Sequence, residues 1–274
     1  MDHENPSGKF IFPDKSVYIG EIENNLPHGL GVWTHPNGEK YSGQWVDGKE
    51  NGSGVYSYPD GGEFSGNFVD GIREGSGIWT HPDGSKYEGN WEKGKFSGKG
   101  IFVWSDLKRY EGDWKGGVQN GIGNTKYPDG REYLGEYKNG KENGYGEWSD
   151  RDGQTYKGEF KDGEFHGMGY CNLPDGGIYE GNFVDMLLDG QGSFTKTDGT
   201  KATGEFKKDY LNGQGKWEYA NGDVATGNFK EDELNGYGVY IWANGDKYEG
   251  NWVDGDKTGK GTFYFGDGGY YEGN

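Results

Sequence analysis

Residues 87–100 read YEGNWEKGKFSGKG, and this stretch carries the pattern on which the whole chain is built. An aromatic residue, a glycine and a second aromatic residue alternate in its first half, and a Gly-x-Gly pair ends it. The residues of this signature are Tyr87, Gly89, Trp91, Gly98 and Gly100. The pattern returns every 23 residues, so we number the positions of each repeat from 1 to 23, beginning at Tyr87 and its equivalents. Position 1 is occupied by Tyr18, Tyr41, Phe64, Tyr87, Tyr110, Tyr133, Tyr156, Tyr179, Ala202, Ala225, Tyr248 and Tyr271. Position 3 is glycine in every copy, which indicates a repeat protein.

Within a repeat the residue types alternate with a period of two, which is typical of β-strands. Tyr87, Gly89 and Trp91 therefore share one face of a strand. Gly98 and Gly100 fall on one face of the next strand. An aromatic ring that lies flat across a strand needs positions without a Cβ. We therefore predict that these glycines form a floor on which the rings of successive repeats stack.

The connections between repeats predict tight hairpin turns. Five of them read Pro-Asp-Gly or Pro-Asn-Gly, as at residues 82–84 and 128–130, where Pro presets φ and Gly accepts a positive φ. Leu107 replaces the turn glycine in one repeat, so we expect a distorted turn there. Each repeat is then one hairpin whose strands pair with their sequence neighbours. The predicted fold is all-β: an elongated, single-layer antiparallel β-meander of 23-residue hairpin repeats, twisted into a ribbon.

The register predicts one continuous repeat array after a short lead-in. The lead-in covers residues 1–7, and the array covers residues 8–274. The array divides into a half repeat at 8–17, eleven full repeats at 18–270 and the start of a twelfth at 271–274. Because the chain stops inside a strand, we expect either a truncated chain or a terminus that pairs with another strand.

Composition and charge narrow the classes of function. Hydrophobic residues make up 30% of the chain and its mean hydropathy is -1.06, yet 14 Phe, 10 Trp and 21 Tyr occupy fixed positions in the repeat. This placement indicates an ordered chain. The net charge of -18 disfavours nucleic acid and anionic lipid as partners. Cys171 is the single cysteine, and the first residues do not resemble a signal peptide, so we expect a cytoplasmic protein.

The repeats resemble the MORN (membrane occupation and recognition nexus) family. Its consensus, Y-x-G-x-W/F followed by a turn and H/N-G-x-G, is matched by residues 41–45 with 51–54, and again by 156–160 with 166–169. The resemblance covers residues 8–274. It implies single-layer β ribbons that have no catalysis of their own, scaffold cytoskeletal and ciliary assemblies, form homodimers and attach to phospholipid. It also implies accessory arrays beside the catalytic domains of longer enzymes.

The departures from the pattern are the candidate sites. Position 8 is no longer glycine at Met186, Asp209 and Asp232, and apolar residues follow in the same loops. We predict either a partner-binding stripe along one edge or side chains that fold under and cap the loops. The candidate stripe comprises Leu187, Leu188, Tyr210, Leu211 and Leu234. Ala202 and Ala225 replace the position 1 tyrosine, which predicts either a gap in the aromatic face that receives a partner or tolerated degeneracy of two repeats.

These observations favour a non-catalytic scaffold over an enzyme. We expect no catalytic residues, no metal and no cofactor, because the acidic residues and histidines belong to repeating slots. The predicted function is a protein-interaction module that docks partners, or a second copy of itself, on a rigid ribbon in a cytoskeletal or ciliary, radial-spoke-like assembly. The alternatives are a peripheral membrane adaptor for phosphoinositides, which the net charge disfavours, and an accessory array of a longer enzyme.

Overall fold

A computed structural model describes residues 7–273, so the predicted lead-in lies outside the described residues except for Ser7, as does Asn274. The chain divides into two compact units, with the boundary after Lys141. All elements of the described residues are strands. Those of the first unit are β1 (Ser7–Ile11), β2 (Val17–Glu23), β3 (Leu26–Thr34), β4 (Lys40–Val46), β5 (Lys49–Ser57), β6 (Glu63–Val69), β7 (Ile72–Thr80), β8 (Lys86–Glu92), β9 (Lys95–Val103), β10 (Arg109–Lys115), β11 (Val118–Lys126) and β12 (Glu132–Lys138).

The second unit repeats the same alternation of a seven-residue and a nine-residue strand. Its strands are β13 (Lys141–Ser149), which begins at the unit boundary, β14 (Thr155–Lys161), β15 (Glu164–Asn172), β16 (Ile178–Val184), β17 (Leu187–Thr195), β18 (Lys201–Lys207), β19 (Tyr210–Glu218), β20 (Val224–Lys230), β21 (Glu233–Ile241), β22 (Lys247–Val253), β23 (Asp256–Tyr264) and β24 (Tyr270–Gly273).

Within each unit, every strand pairs antiparallel with its neighbours in sequence. The first unit runs from the β1–β2 pair to the β11–β12 pair without a crossover. The second runs in the same way from β13–β14 to β23–β24. The predicted all-β meander of hairpin repeats is confirmed.

The core of each unit lies on the face that carries the aromatic side chains. The Tyr110 ring is fully buried and packs edge-to-face on Trp114 of its own repeat, at 5.1 Å between centroids, and on Tyr137 of the next, also at 5.1 Å. Its hydroxyl donates to the Asp113 carbonyl at 2.8 Å. One ring therefore joins two repeats by aromatic contacts, and its polar end is satisfied within its own strand.

The glycine floor is confirmed at positions 3 and 14. Gly89 and Gly100 face each other in the ladder. A Cβ added at Gly89 would lie 2.6 Å from the Tyr87 hydroxyl oxygen, and one at Gly100 would lie 2.6 Å from Cζ of the same ring. Since real Cβ atoms do not come so close, the ring occupies the space that any larger residue would need.

Gly98, at position 12, was expected in this floor, and that expectation is wrong. It adopts φ +57°, and an added Cβ would meet Asn90, at 3.1 Å from Nδ2. The β8–β9 ladder shifts register here, because Gly89 pairs with Gly100 whereas Asn90 pairs with Ser97. Gly98 therefore serves a β-bulge that requires the left-handed conformation.

The turns keep one geometry even where glycine is lost. Leu107 adopts φ +70°, and its N–H donates to the Trp104 carbonyl at 2.9 Å, as Gly130 N–H does to Tyr127 at 3.0 Å. The distortion expected at Leu107 is therefore absent. Leucine in this conformation is strained, and its side chain is exposed.

Candidate interaction surfaces

The three candidate leucines at position 10 are buried. Leu188 and Leu211 have no exposed surface and Leu234 is 5% exposed, so they do not belong to an exposed stripe. This agrees with the alternative in which loop side chains fold under the hairpins. Leu187 and Tyr210, at position 9, are exposed, and their binding to a partner stays a prediction.

The leucines fill the space that a tyrosine ring fills in other repeats. A Cβ at Gly215 would lie 2.8 Å from Leu211 Cδ1, and one at Gly238 would lie 2.8 Å from Leu234 Cδ2. Ala202 and Ala225, which begin these two repeats, are buried. The structure therefore contains no gap at the alanines, because a leucine of the same repeat occupies the volume of the missing ring.

The repeat that begins at Tyr179 shows the same substitution with the tyrosine still present. Leu188 occupies the space beside Gly192 that a tyrosine ring fills in other repeats. A Cβ added at Gly192 would lie 3.1 Å from Leu188 Cδ1. The Tyr179 ring lies instead 4.5 Å from the Phe194 ring and is partly exposed. Leucine and tyrosine thus compete for one slot, and leucine takes it.

The lost loop glycines are part of the same arrangement. The Asp209 carboxylate accepts the Leu188 N–H at 2.8 Å, and the Asp232 carboxylate accepts the Leu211 N–H at 2.8 Å. Burial raises the pKa of Asp232. Aspartate at position 8 therefore anchors the strand end that carries the leucine, which sequence reasoning missed because the two residues are 21 positions apart.

Position 10 also varies across the first unit, where it decides what covers each ring. Phe96 stacks on Tyr87 at 3.8 Å between centroids. The Arg73 guanidinium lies over the Trp91 ring at 4.7 Å. Glu50 is partly buried, and burial raises the pKa of its carboxyl. The aromatic face therefore carries a different chemical group at each repeat, although its scaffold is constant.

The opposite face of the first unit contains a groove. It has a volume of about 830 Å³, and its floor is formed by Gly54, Gly66, Gly77 and Gly89. Its other lining residues are Ser53, Val55, Ser65, Asn67, Ser76, Ile78, Glu88 and Asn90. Because successive side chains of a strand point to opposite faces, these positions alternate with the ring positions.

This groove is nearly neutral in a strongly acidic chain. Glu88 is its one charged lining residue, and Lys86 Nζ binds that carboxylate at 2.8 Å. The remaining polar groups are hydroxyls and amides, which both donate and accept hydrogen bonds. Val55 and Ile78 add apolar surface. The groove can therefore bind a polar, uncharged backbone together with small apolar side chains.

The second unit has smaller grooves on the equivalent face. One, of about 440 Å³, is lined by Gln214, Asn228, Tyr237 and Val239 among others, and a second, of about 540 Å³, includes Glu249, Lys260 and Glu272. The Tyr237 hydroxyl donates to Glu249 at 2.5 Å and, with Lys247, lowers the pKa of that carboxyl. The larger of these two grooves is more charged than the one in the first unit, whereas the smaller has no charged lining residue.

Within residues 7–273, no group of three or more His, Cys, Asp or Glu side chains is arranged to hold a metal ion. That part of the chain also contains no helix that could cross a membrane.

Comparisons with solved structures give only distant likenesses. The TCP10 domain of Danio rerio CPAP in complex with a STIL peptide is 14% identical, with 98% of this chain and 99% of that chain covered and a TM-score of 0.24. The G-box domain of the microcephaly protein CPAP is 15% identical over 90% and 99%, with a TM-score of 0.22. Virginiamycin B lyase from Staphylococcus aureus is 10% identical over 98% and 83%, with a TM-score of 0.16. These TM-scores are too low to support an argument.

A comparison with family models is decisive. No curated protein matches the chain. The MORN repeat model matches eleven consecutive segments: 18–40, 41–63, 64–86, 87–109, 110–130, 133–155, 156–178, 179–201, 203–224, 226–247 and 248–270. Together with the hairpin repeats of the structure, these matches show that the chain belongs to the MORN repeat family.

Proposed function

We propose that this protein is a non-catalytic interaction module that binds an extended or helical segment of a partner protein in the groove at residues 53–90. One observation carries the proposal: the groove is nearly neutral and lined by hydroxyl and amide groups, although the chain has a net charge of -18. A polypeptide offers the backbone donors, acceptors and small apolar side chains that such a surface can bind.

The size and chemistry of the groove favour protein over the other partner classes. The groove is formed by residues of four adjacent strands, β5 to β8, and is broad enough for a polypeptide segment. Nucleic acid and anionic lipid would need a cluster of cations to neutralise their phosphates. The groove lining contains no Lys or Arg, and Lys86, which lies outside the lining, is paired with Glu88.

The family resemblance supports a scaffold in a cytoskeletal or ciliary assembly. A repeated surface on a stiff sheet holds partners at fixed spacing, and such a role needs no chemistry. Self-association is part of this proposal, because the family resemblance implies homodimers. Size-exclusion chromatography with light scattering measures the oligomeric state, and a strictly monomeric chain would contradict this part.

Ser65→Trp tests the groove by filling it. The full chain, fused to a proximity-labelling enzyme, is compared with the variant in cells by quantitative mass spectrometry. We expect the enrichment of the proteins labelled by the wild type to fall at least about tenfold in the variant. A tenfold loss of affinity corresponds to about 1.4 kcal/mol of binding free energy. Thr203→Trp is the matched control, because Thr203 is also exposed at position 2 but lies in the second unit.

Equal labelling by the two variants would refute the groove as the binding site. Sedimentation with phosphoinositide vesicles at about 0.15 M salt tests the membrane alternative. Strong sedimentation of the wild type, weakened by Ser65→Trp, would show that the groove binds a lipid surface and not a protein.

A further inference from the structure

The aromatic face of the first unit contains a cation held among rings. The Arg73 guanidinium carbon lies 4.7 Å from the Trp91 ring centre and 5.6 Å from that of Phe64. One of its nitrogens, Nη1, donates to the Tyr58 hydroxyl at 3.0 Å. These contacts fix the plane of the guanidinium group but use one of its five N–H donors.

Arg73 lacks the carboxylate partner that other arginines of this unit have. Arg109 pairs with Glu111 at 2.7 Å, and Arg131 pairs with Asp129 at 2.9 Å. Within the part of the chain that the structure describes, no carboxylate lies within 4.0 Å of Arg73. An unpaired, half-buried guanidinium in a chain of charge -18 is a local reversal of the overall charge.

A cavity of about 240 Å³ opens directly beside this arginine. Its walls are Arg73, Trp79, Trp91, Lys95 and Phe96, with two loop glycines. The backbone holds the walls in place, because Gly94 N–H donates to the Arg73 carbonyl at 3.0 Å and Gly117 N–H donates to the Phe96 carbonyl at 2.9 Å. The cavity thus combines three aromatic rings with two cations.

We propose that this cavity binds an acidic peptide segment of a partner protein, independently of the groove on the opposite face. An apolar or aromatic side chain enters between Trp79, Trp91 and Phe96. A neighbouring carboxylate then pairs with the free N–H donors of Arg73 and with the Lys95 ammonium, and such charge-assisted hydrogen bonds are stronger than neutral ones. Phosphoinositide headgroups fit less well, because their recognition uses clusters of four to eight cations, and the cavity has two.

The test compares three short capped peptides that share one backbone. The first places phenylalanine between two glutamates, the second replaces both glutamates by glutamine, and the third replaces the phenylalanine by glycine. Binding to the full chain is followed by NMR through the indole N–H signals of Trp79 and Trp91. We expect the first peptide to bind at least about tenfold more tightly than either of the others, a difference of about 1.4 kcal/mol. Equal affinities, or shifts that do not involve these indoles, would overturn the proposal.

Two variants test whether the positive charge of Arg73 contributes to binding of the acidic peptide. Arg73→Met keeps an apolar side chain over the rings and removes the cation, so we expect the first peptide to lose its tenfold preference. Lys257→Met is the matched control, because Lys257 also lies at position 10 over aromatic rings, at 4.5 Å from Trp242, but in the second unit. An unchanged preference in Arg73→Met would refute the site. If Arg73→Met melts early, Lys95→Met, a change at an exposed residue, provides the same comparison.

Discussion

Two sets of repeats solve the same packing problem with different side chains. In the repeat that begins at Tyr110, the ring covers Gly123, where an added Cβ would lie 2.5 Å from its Cζ. In the repeat that begins at Ala202, Leu211 covers the equivalent Gly215. The filling residue comes from position 1 in the first case and from position 10 in the second. The repeat therefore conserves a filled volume above the glycine pair, and the residue that fills it can change.

The comparison also shows why the departures occur together. A leucine at position 10 accompanies an alanine at position 1, or a displaced tyrosine at Tyr179. For two of the three leucines, an aspartate at position 8 of the following repeat accepts the leucine's N–H, as Asp232 does for Leu211, whereas Gly255 stands at that position after Leu234. Because the side chains at positions 1 and 10 adjust to each other around one filled volume, the leucine repeats form a second packing type.

The largest effect is expected for Gly123→Val, which disrupts the ring type of packing, in which a tyrosine at position 1 fills the slot. The new side chain would collide with the Tyr110 ring, whose hydroxyl is fixed by its bond to Asp113. We expect a loss of at least about 4 kcal/mol, above the usual overpacking cost, because the opposing Gly112 strand also blocks relaxation. Urea unfolding followed by circular dichroism measures it. Gly215→Val should cost less, since the flexible end of Leu211 can move aside. A larger loss in Gly215→Val than in Gly123→Val would contradict the distinction.

Leu211→Ala disrupts the leucine type of packing, in which a leucine at position 10 fills the slot. The slot would then hold two alanines and no ring, so a cavity remains above Gly215. We expect a loss of about 3 kcal/mol, measured by the same unfolding experiment. Leu187→Ala is the control, because Leu187 is exposed and should change stability by less than about 0.5 kcal/mol. Similar losses for the two variants would mean that Leu211 does not stabilise the fold by filling the slot.

A smaller effect is expected when one type is converted into the other. Ala202→Tyr alone should destabilise, because its ring and Leu211 need the same space. Adding Leu211→Gln, the residue found at position 10 of the Tyr110 repeat as Gln119, should restore the ring type. We expect a favourable coupling of about 1 kcal/mol in the double-mutant cycle. No coupling would show that the new tyrosine swings out as Tyr179 does.

The smallest effects concern two carboxyl groups whose pH dependences have opposite signs. The Tyr240 hydroxyl, the Ala243 N–H and the Asn221 amide lower the pKa of Asp223. Its contribution to stability is therefore present above its unfolded pKa of about 3.9 and is lost as pH falls through the lower folded value. We expect Asp223→Asn to be less stable than wild type at pH 7, with the difference vanishing in acid.

Glu50 should behave in the opposite way. Burial raises its pKa, so its contribution is complete below its unfolded pKa of about 4.3 and is lost as pH rises through the folded value. Glu50→Gln should therefore raise the thermal midpoint at pH 7 and leave it unchanged in acid. Thermal melts of both variants between pH 3 and pH 8 check the two signs, and parallel profiles would contradict them.

Much of the fold could be predicted from residues near one another in sequence. The alternation of Tyr87, Gly89 and Trp91 predicted the strand and the ring floor, because strand geometry places alternate residues on one face. Gly98 was misassigned for a related reason. The same alternation hides a bulge, and the bulge appears only when the partner strand fixes the register.

The candidate sites were harder to predict. Leu188, Leu211 and Leu234 are apolar residues in loops, and no local pattern tells whether such a side chain turns outward or fills a slot left by another residue. Arg73 gave no signal at all, since its importance depends on Trp91 in the following repeat and on the absence of a carboxylate nearby.

The 23-residue repeat, the strands, the turns and the family follow from the order of residues alone, because they depend on backbone preferences and on the spacing of Gly and aromatic residues. The folded arrangement is needed to tell which side chain fills each slot, where the neutral groove lies and what surrounds Arg73. These features arise when residues from different strands compete for one volume or leave one charge unpaired. Such competition is settled by distances in space, which the order of residues does not contain.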